Sequence, residues 1–164
     1  MRWDEIGSQT CSIARALAEV GDRWTLLLLR EAFLRTRRFD DFVARTGASR
    51  NLVADRLAKL VDAGILAKRR YQESPARDEY RLTEKGRDLH PVLMALVRWG
   101  DRWLADPSGR PLEHVHTGCG RVMHVEPVCS ACGRAVGPRD VRVRPGPGLR
   151  PETLGRAELG DAEA

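Results

Sequence analysis

Three of the four cysteines, Cys119, Cys129 and Cys132, fall in the stretch HVHTGCGRVMHVEPVCSACGRAV, which also carries His114, His116 and His124. Cys129-x-x-Cys132-Gly has the spacing of a zinc knuckle, and His116-x-x-Cys119-Gly is a matching first half. The glycine that ends each half lets backbone amides turn toward a thiolate sulfur. Structural zinc takes four tetrahedral N or S ligands in a closed site, and His116, Cys119, Cys129 and Cys132 make such a set. His114 and His124 are rival fourth ligands. A segment this short, with few large apolar residues, has little but a metal to order it. The competing reading is a degenerate ribbon of reduced, unliganded cysteines. A redox pair is a further alternative, although no thioredoxin-like βαβ pattern surrounds the motif.

A second set of residues suits a polyanion. Ser49, Arg50 and Asn51 open a helical pattern, followed one turn later by Ala54, Asp55 and Arg56. Arg can read guanine and Asn adenine with paired hydrogen bonds, while a helix N-terminus favours phosphate. Beyond that helix, Lys68, Arg69, Arg70 and Arg77 cluster around a turn-rich QESPARD. Charge is distributed accordingly. The chain is 164 residues long with net charge +5, and residues 35–81 hold 12 basic against 7 acidic residues, the whole of that excess. Phosphate contacts release counterions, so a local basic surface suits double-stranded DNA. A merely solvated basic face is the plainer alternative.

The elements that must position these residues are mostly helical. Residues 11–20 place Ile13, Leu17 and Val20 at helical spacing and end at Gly21. Asp22 is an N-cap for a helix over 23–34, apolar on most sides and expected to be the buried spine. A short helix over 40–45 stops at Gly47, and Ser49 caps a longer one over 50–63, closed by Gly64. Val53, Leu57, Leu60 and Val61 give that helix one core face. Two helices joined near Gly47 are a helix-turn-helix pattern. Strand-like stretches over 65–71 and 79–82 then make a β-hairpin. Thr83 caps a last helix that Pro91 must kink or restart, running to about residue 104. Its apolar residues Val92, Leu93, Leu96, Trp99, Trp103 and Leu104 call for a partner surface. Composition shifts after Asp106. The expected division is therefore a winged-helix unit over 1–106, a Cys/His module over 107–144 and a disordered tail over 145–164.

With these landmarks in place, residues 11–104 resemble the HxlR-type winged helix-turn-helix regulators, relatives of the MarR group. The resemblance rests on Cys11 opening the first helix and Gly21-Asp22-Arg23-Trp24 opening the second. It also rests on Arg38-Phe39 with Phe42, Leu57, Leu60 and Gly64, on Tyr80, Leu82, Thr83 and Gly86, and on the stretch from Pro91 to Gly100. It implies an α+β transcriptional regulator that binds DNA as a homodimer closed by its N-terminal and last helices. It also implies that Cys11 is an oxidant or electrophile sensor, against the plainer reading of Cys11 as a small buried filler under the first helix. A small molecule or an oxidant would then be the effector.

Other functions are weaker fits. A zinc-dependent enzyme needs an open coordination position beside a general base, whereas two knuckles suggest closure, and no nucleophile motif or Gly-rich phosphate loop is present. A zinc-ribbon adaptor binding protein, with the winged helix as scaffold, is the remaining rival. The polar opening MRWDEIGSQT is no signal peptide, and the longest aliphatic run, Leu26 to Leu29, is far short of a membrane span. A cytoplasmic location, which keeps thiols reduced, is expected.

Overall fold

The computed structural model describes residues 3–149; most of the tail expected from residue 145 onward therefore lies outside the described residues. A 3-10 turn over Trp3–Ser8 precedes helices α1 (Ser12–Val20), α2 (Arg23–Phe33), α3 (Phe39–Thr46) and α4 (Arg50–Asp62). The hairpin β1 (Leu66–Gln72) and β2 (Arg77–Leu82) follows, then the short α5 (Glu84–Arg87) and α6 (His90–Trp103). The fold class is α+β, with four helices and a two-stranded antiparallel sheet before the final helices.

Caps set these boundaries. Asp22 Oδ1 accepts the amides of Trp24 and Thr25 at 3.0 and 3.2 Å, satisfying donors that the first turn of α2 leaves free. Ser49 does the same for Leu52, and Thr83 for Gly86. Gly47 ends α3 in the left-handed region, φ +69°. Gly86 is needed for another reason: a Cβ there would stand 2.2 Å from the Ile65 carbonyl oxygen, so only glycine lets α5 lie against the hairpin base. Pro91 sits in the first turn of α6, and the expected last helix is accordingly split into α5 and α6.

The core lies among α2, α3, α4 and the hairpin base. Leu28, Leu29, Phe42, Val53, Leu57, Leu60, Ile65 and Leu66 are fully buried there, and Tyr80 meets Phe42 edge-on. Removing each such side chain from water contributes roughly 1.5–3 kcal/mol. Glu31 on α2 is charged yet buried, and is bonded by Arg45 Nε at 2.6 Å, Arg30 Nη2 at 2.7 Å and the Thr36 hydroxyl at 3.3 Å. Burial pushes its carboxyl up, but the hydrogen bonds from Arg45 and Arg30 outweigh that and hold it below the usual value.

Two elements differ from expectation. On α1 only Ala14 and Val20 are buried; Ile13 is 70% exposed and Leu17 also faces outward. The hairpin strands run further than expected, leaving residues 73–76 as the tip and placing Arg77 in β2 opposite Gln72.

Candidate nucleic-acid interface

The α3–α4 pair presents the N-terminus of α4 outward. Ser49, Arg50, Asn51, Ala54, Asp55, Ala58 and Lys59 are exposed, while Val53, Leu57 and Leu60 hold the helix to the core. Arg50 does not hang free. Its guanidinium bonds Asp40 at 2.8 Å and lies 4.8 Å from the centre of the Phe39 ring, both on α3. These contacts lay it along α3 beside the helix start.

Asp55 and Arg56, expected among the DNA contacts, have partners inside the protein. Arg56 grips Asp22 through Nε and Nη2 at 3.0 and 3.3 Å, and reaches Asp55 at 2.6 Å; Lys59 shares Asp55. Asp22 thus caps α2 and ties it to the middle of α4. Burial pushes the Asp22 carboxyl up, but the Arg56 guanidinium and the capped amides together outweigh that and leave it lowered overall. The spacing of 34 residues between Asp22 and Arg56 hides this contact from any local reading.

On the hairpin, Arg70 pairs with Asp78 at 2.7 Å and Lys68 lies over the Tyr80 ring. Arg69 and Arg77 make no ion pair among the described residues. Between the hairpin and α3 runs a polar cleft lined by Arg38, Asp40, Tyr71 and Arg77, with the Arg38 guanidinium 5.0 Å over Tyr71. Motif spacing does not point to Arg38, Asp40 or Tyr71 as site residues; the run Arg35-Thr36-Arg37-Arg38 is the only local signal for this cleft. The hairpin is fastened to this region by the Tyr80 amide, which donates to the Arg37 carbonyl at 2.8 Å. The result is a surface on which a helix start, an arginine-rich loop and a basic strand pair face outward. Its shape and charge suit a duplex, with a helix for a major groove and cations for backbone phosphates.

Of the other expected sites, Cys11 is exposed and occupies the N-cap position of α1 without a side-chain cap bond. In the single chain its thiol faces outward rather than filling the core. The Cys/His segment is held in two pairs. His116 Nδ1 lies 3.3 Å from Cys119 Sγ, and Cys129 hydrogen-bonds Cys132. The amide and side chain of Arg134 donate to the Cys132 sulfur, which together with Cys129 lowers that thiol's pKa. Among the described residues no three His, Cys, Asp or Glu side chains converge as a metal cluster. His124 instead bonds Glu126 at 2.8 Å, and Glu126 pairs with Arg98 of α6.

No helix among the described residues is long and apolar enough to cross a membrane. The HxlR-like helix-turn-helix family model matches residues 19–108. Among curated relatives, the uncharacterised HTH-type transcriptional regulator Rv3095 of Mycobacterium tuberculosis is 43% identical over 141 residues, covering 85% of this chain and 88% of its own. Among solved structures, PA1607, described as a candidate transcription factor, is similar at TM-score 0.76 and 32% identity, over 84% of this chain and 96% of its own. PA1374 of Pseudomonas aeruginosa, with the same description, is similar at TM-score 0.62 and 36% identity, over 90% and 100%. These relatives are transcription proteins, not enzymes.

Proposed function

Since the chain belongs to the HxlR-like helix-turn-helix family, we propose that it regulates transcription as a homodimer, each α4 entering a major groove of duplex DNA and each hairpin lying on the flanking backbone. The observation that carries this reading is the exposed start of α4. There Arg50 is paired with Asp40 and stacked on Phe39, beside Asn51 and the Leu52 amide that Ser49 caps. Arg50 and Asn51 read base edges in this proposal, and Ser49 holds the helix start. Lys68, Arg69, Arg70 and Arg77 contact phosphate. Asp55 and Arg56 belong to the same surface, with Arg56 positioning α4 through Asp22.

The second copy is argued from apolar surface. Trp99 and Trp103 on α6 are 57% and 61% exposed, near Val92, Leu96 and Leu104, and Ile13 and Leu17 of α1 are also outward. Apolar surface on this scale marks an interaction site, and two-fold proteins read two-fold operators. In this reading oxidation of Cys11, exposed at the start of α1, acts on that same region.

Selection of bound genomic fragments in vitro tests the reading. The unsubstituted protein should enrich a palindromic motif. Arg50→Ala should lose about 1–3 kcal/mol of specific binding and relax the preference at one position of each half-site. Unchanged selectivity in that variant would remove Arg50 from the reading residues, and no enriched motif at all would overturn the function.

A further inference from the structure

Residues 107–149 contain no buried side chain, yet the backbone forms two hairpins of one design. Val115 bridges Val122, and Val128 bridges Ala135. The His116 amide donates to the Arg121 carbonyl at 2.9 Å, and the Cys129 amide to the Arg134 carbonyl at 2.8 Å. Gly120 donates to the His116 carbonyl and Gly133 to the Cys129 carbonyl, both at 2.8 Å. Each turn closes on a left-handed glycine, φ +68° at Gly120 and +73° at Gly133. The outer bonds match too, Met123 to His114 and Val136 to Pro127. His116 thus corresponds to Cys129, Cys119 to Cys132, and Arg121 to Arg134.

What the two turns share is the placement of ligand atoms. Two ligands on a tetrahedral zinc with Zn–S near 2.3 Å and Zn–N near 2.0 Å stand roughly 3.5 Å apart. The 3.3 Å between His116 Nδ1 and Cys119 Sγ is already close to such an edge. Gly118 serves it, because a Cβ there would stand 2.9 Å from the His116 ring. The Cys129–Cys132 pair makes the second edge. Hairpins without buried side chains gain little from hydrophobic burial, so a shared ion is the interaction that would hold the two together.

We propose that His116 Nδ1 and the sulfurs of Cys119, Cys129 and Cys132 bind one structural Zn²⁺, which draws the two hairpins onto a common centre. The two edges stand as separate half-sites, so closure is coupled to metal binding. Each thiol gives up its proton to solvent as its sulfur bonds the ion, and the imidazole binds in its neutral form. Three thiolates leave the centre with net negative charge, and Arg121 and Arg134, at equivalent positions, complement it. His124, held by Glu126 against α6, lies outside the set; His114 supplies its carbonyl to the first hairpin.

The test uses the full chain, kept reduced. Elemental analysis should give about one zinc per chain. Replacement by Co²⁺ should give the strong visible bands of a tetrahedral thiolate site. His116→Ala, Cys119→Ser and Cys129→Ser should each lose the ion, while His124→Ala keeps it. Zinc should slow proteolysis within 107–144 at least tenfold, with the helical circular dichroism unchanged as evidence that α1–α6 remain folded. A weak octahedral cobalt spectrum, zinc retained by all the ligand variants, or a Cys129–Cys132 disulfide in freshly isolated protein would each overturn the proposal.

Discussion

Asp22 performs two tasks that substitution can separate. Asp22→Ala removes both the cap of α2 and the two-bond grip on Arg56. The cap contributes about 1 kcal/mol. The Asp22 side chain is 37% exposed and that of Arg56 21%, so solvent screens the pair. A value of about 1 kcal/mol is appropriate, rather than the roughly 3–5 of a fully buried pair. Asp22→Ala should therefore cost about 2 kcal/mol, a drop of roughly 4–8 °C in Tm for a chain of this size. Asp22→Asn keeps an oxygen for the amides and should lose about half as much. The pH dependence follows from the lowered carboxyl. Its contribution is complete above the unfolded value of 3.8 and is lost as pH falls through the lower folded value. Thermal melts followed by circular dichroism should show a constant gap between the parent protein and Asp22→Asn from about pH 5 to 8, closing only in acid. A gap undiminished below the titration of Asp22, or equal melting of the Ala and Asn variants, would refute this division of roles.

The same surfaces give three further expectations. Arg69→Ala and Arg77→Ala should each lower the slope of log K against log salt by about 1, and Arg70→Ala by less, because Asp78 already shares its charge; equal slopes would remove that distinction. Sedimentation at low-micromolar concentration should give about twice the 18.4 kDa chain mass, and charges at Trp99 and Trp103 together should give a monomer. A clean monomer from the unsubstituted chain would overturn the dimer and the palindromic operator with it. Cys11→Ser should bind DNA normally and keep it under mild oxidation that releases the parent protein; release by the variant would place the switch elsewhere.

Local chemistry was legible in the sequence, and contacts between distant segments were not. Asp22, Ser49 and Thr83 announced helix starts because a cap acts within three residues, and Gly47 and Pro91 marked a stop and a restart for the same reason. Periodicity on α1 identified an apolar face without saying what covers it, and in the single chain Ile13 remains open. Arg56 looks like any cation on a helix surface until Asp22, far away in the chain, is brought against it. The bracing of Arg50 by Asp40 and Phe39 was hidden likewise, since it depends on how α3 crosses α4. The hairpin tip was overestimated because polar residues such as Gln72 and Arg77 pair readily on an exposed strand.

The bond from the Tyr80 amide to the Arg37 carbonyl has a geometric consequence. With Tyr80 and Leu82 also packed on the core beside α2 and α4, the base of the hairpin is fastened to the body that carries α4. The span from the start of α4 to the hairpin base is set by that packing. In the proposed complex, an insertion of one base pair between the groove contact and the flanking contact therefore cannot be absorbed by moving the base of the wing. The double helix would have to twist to meet it, or the contact would be lost.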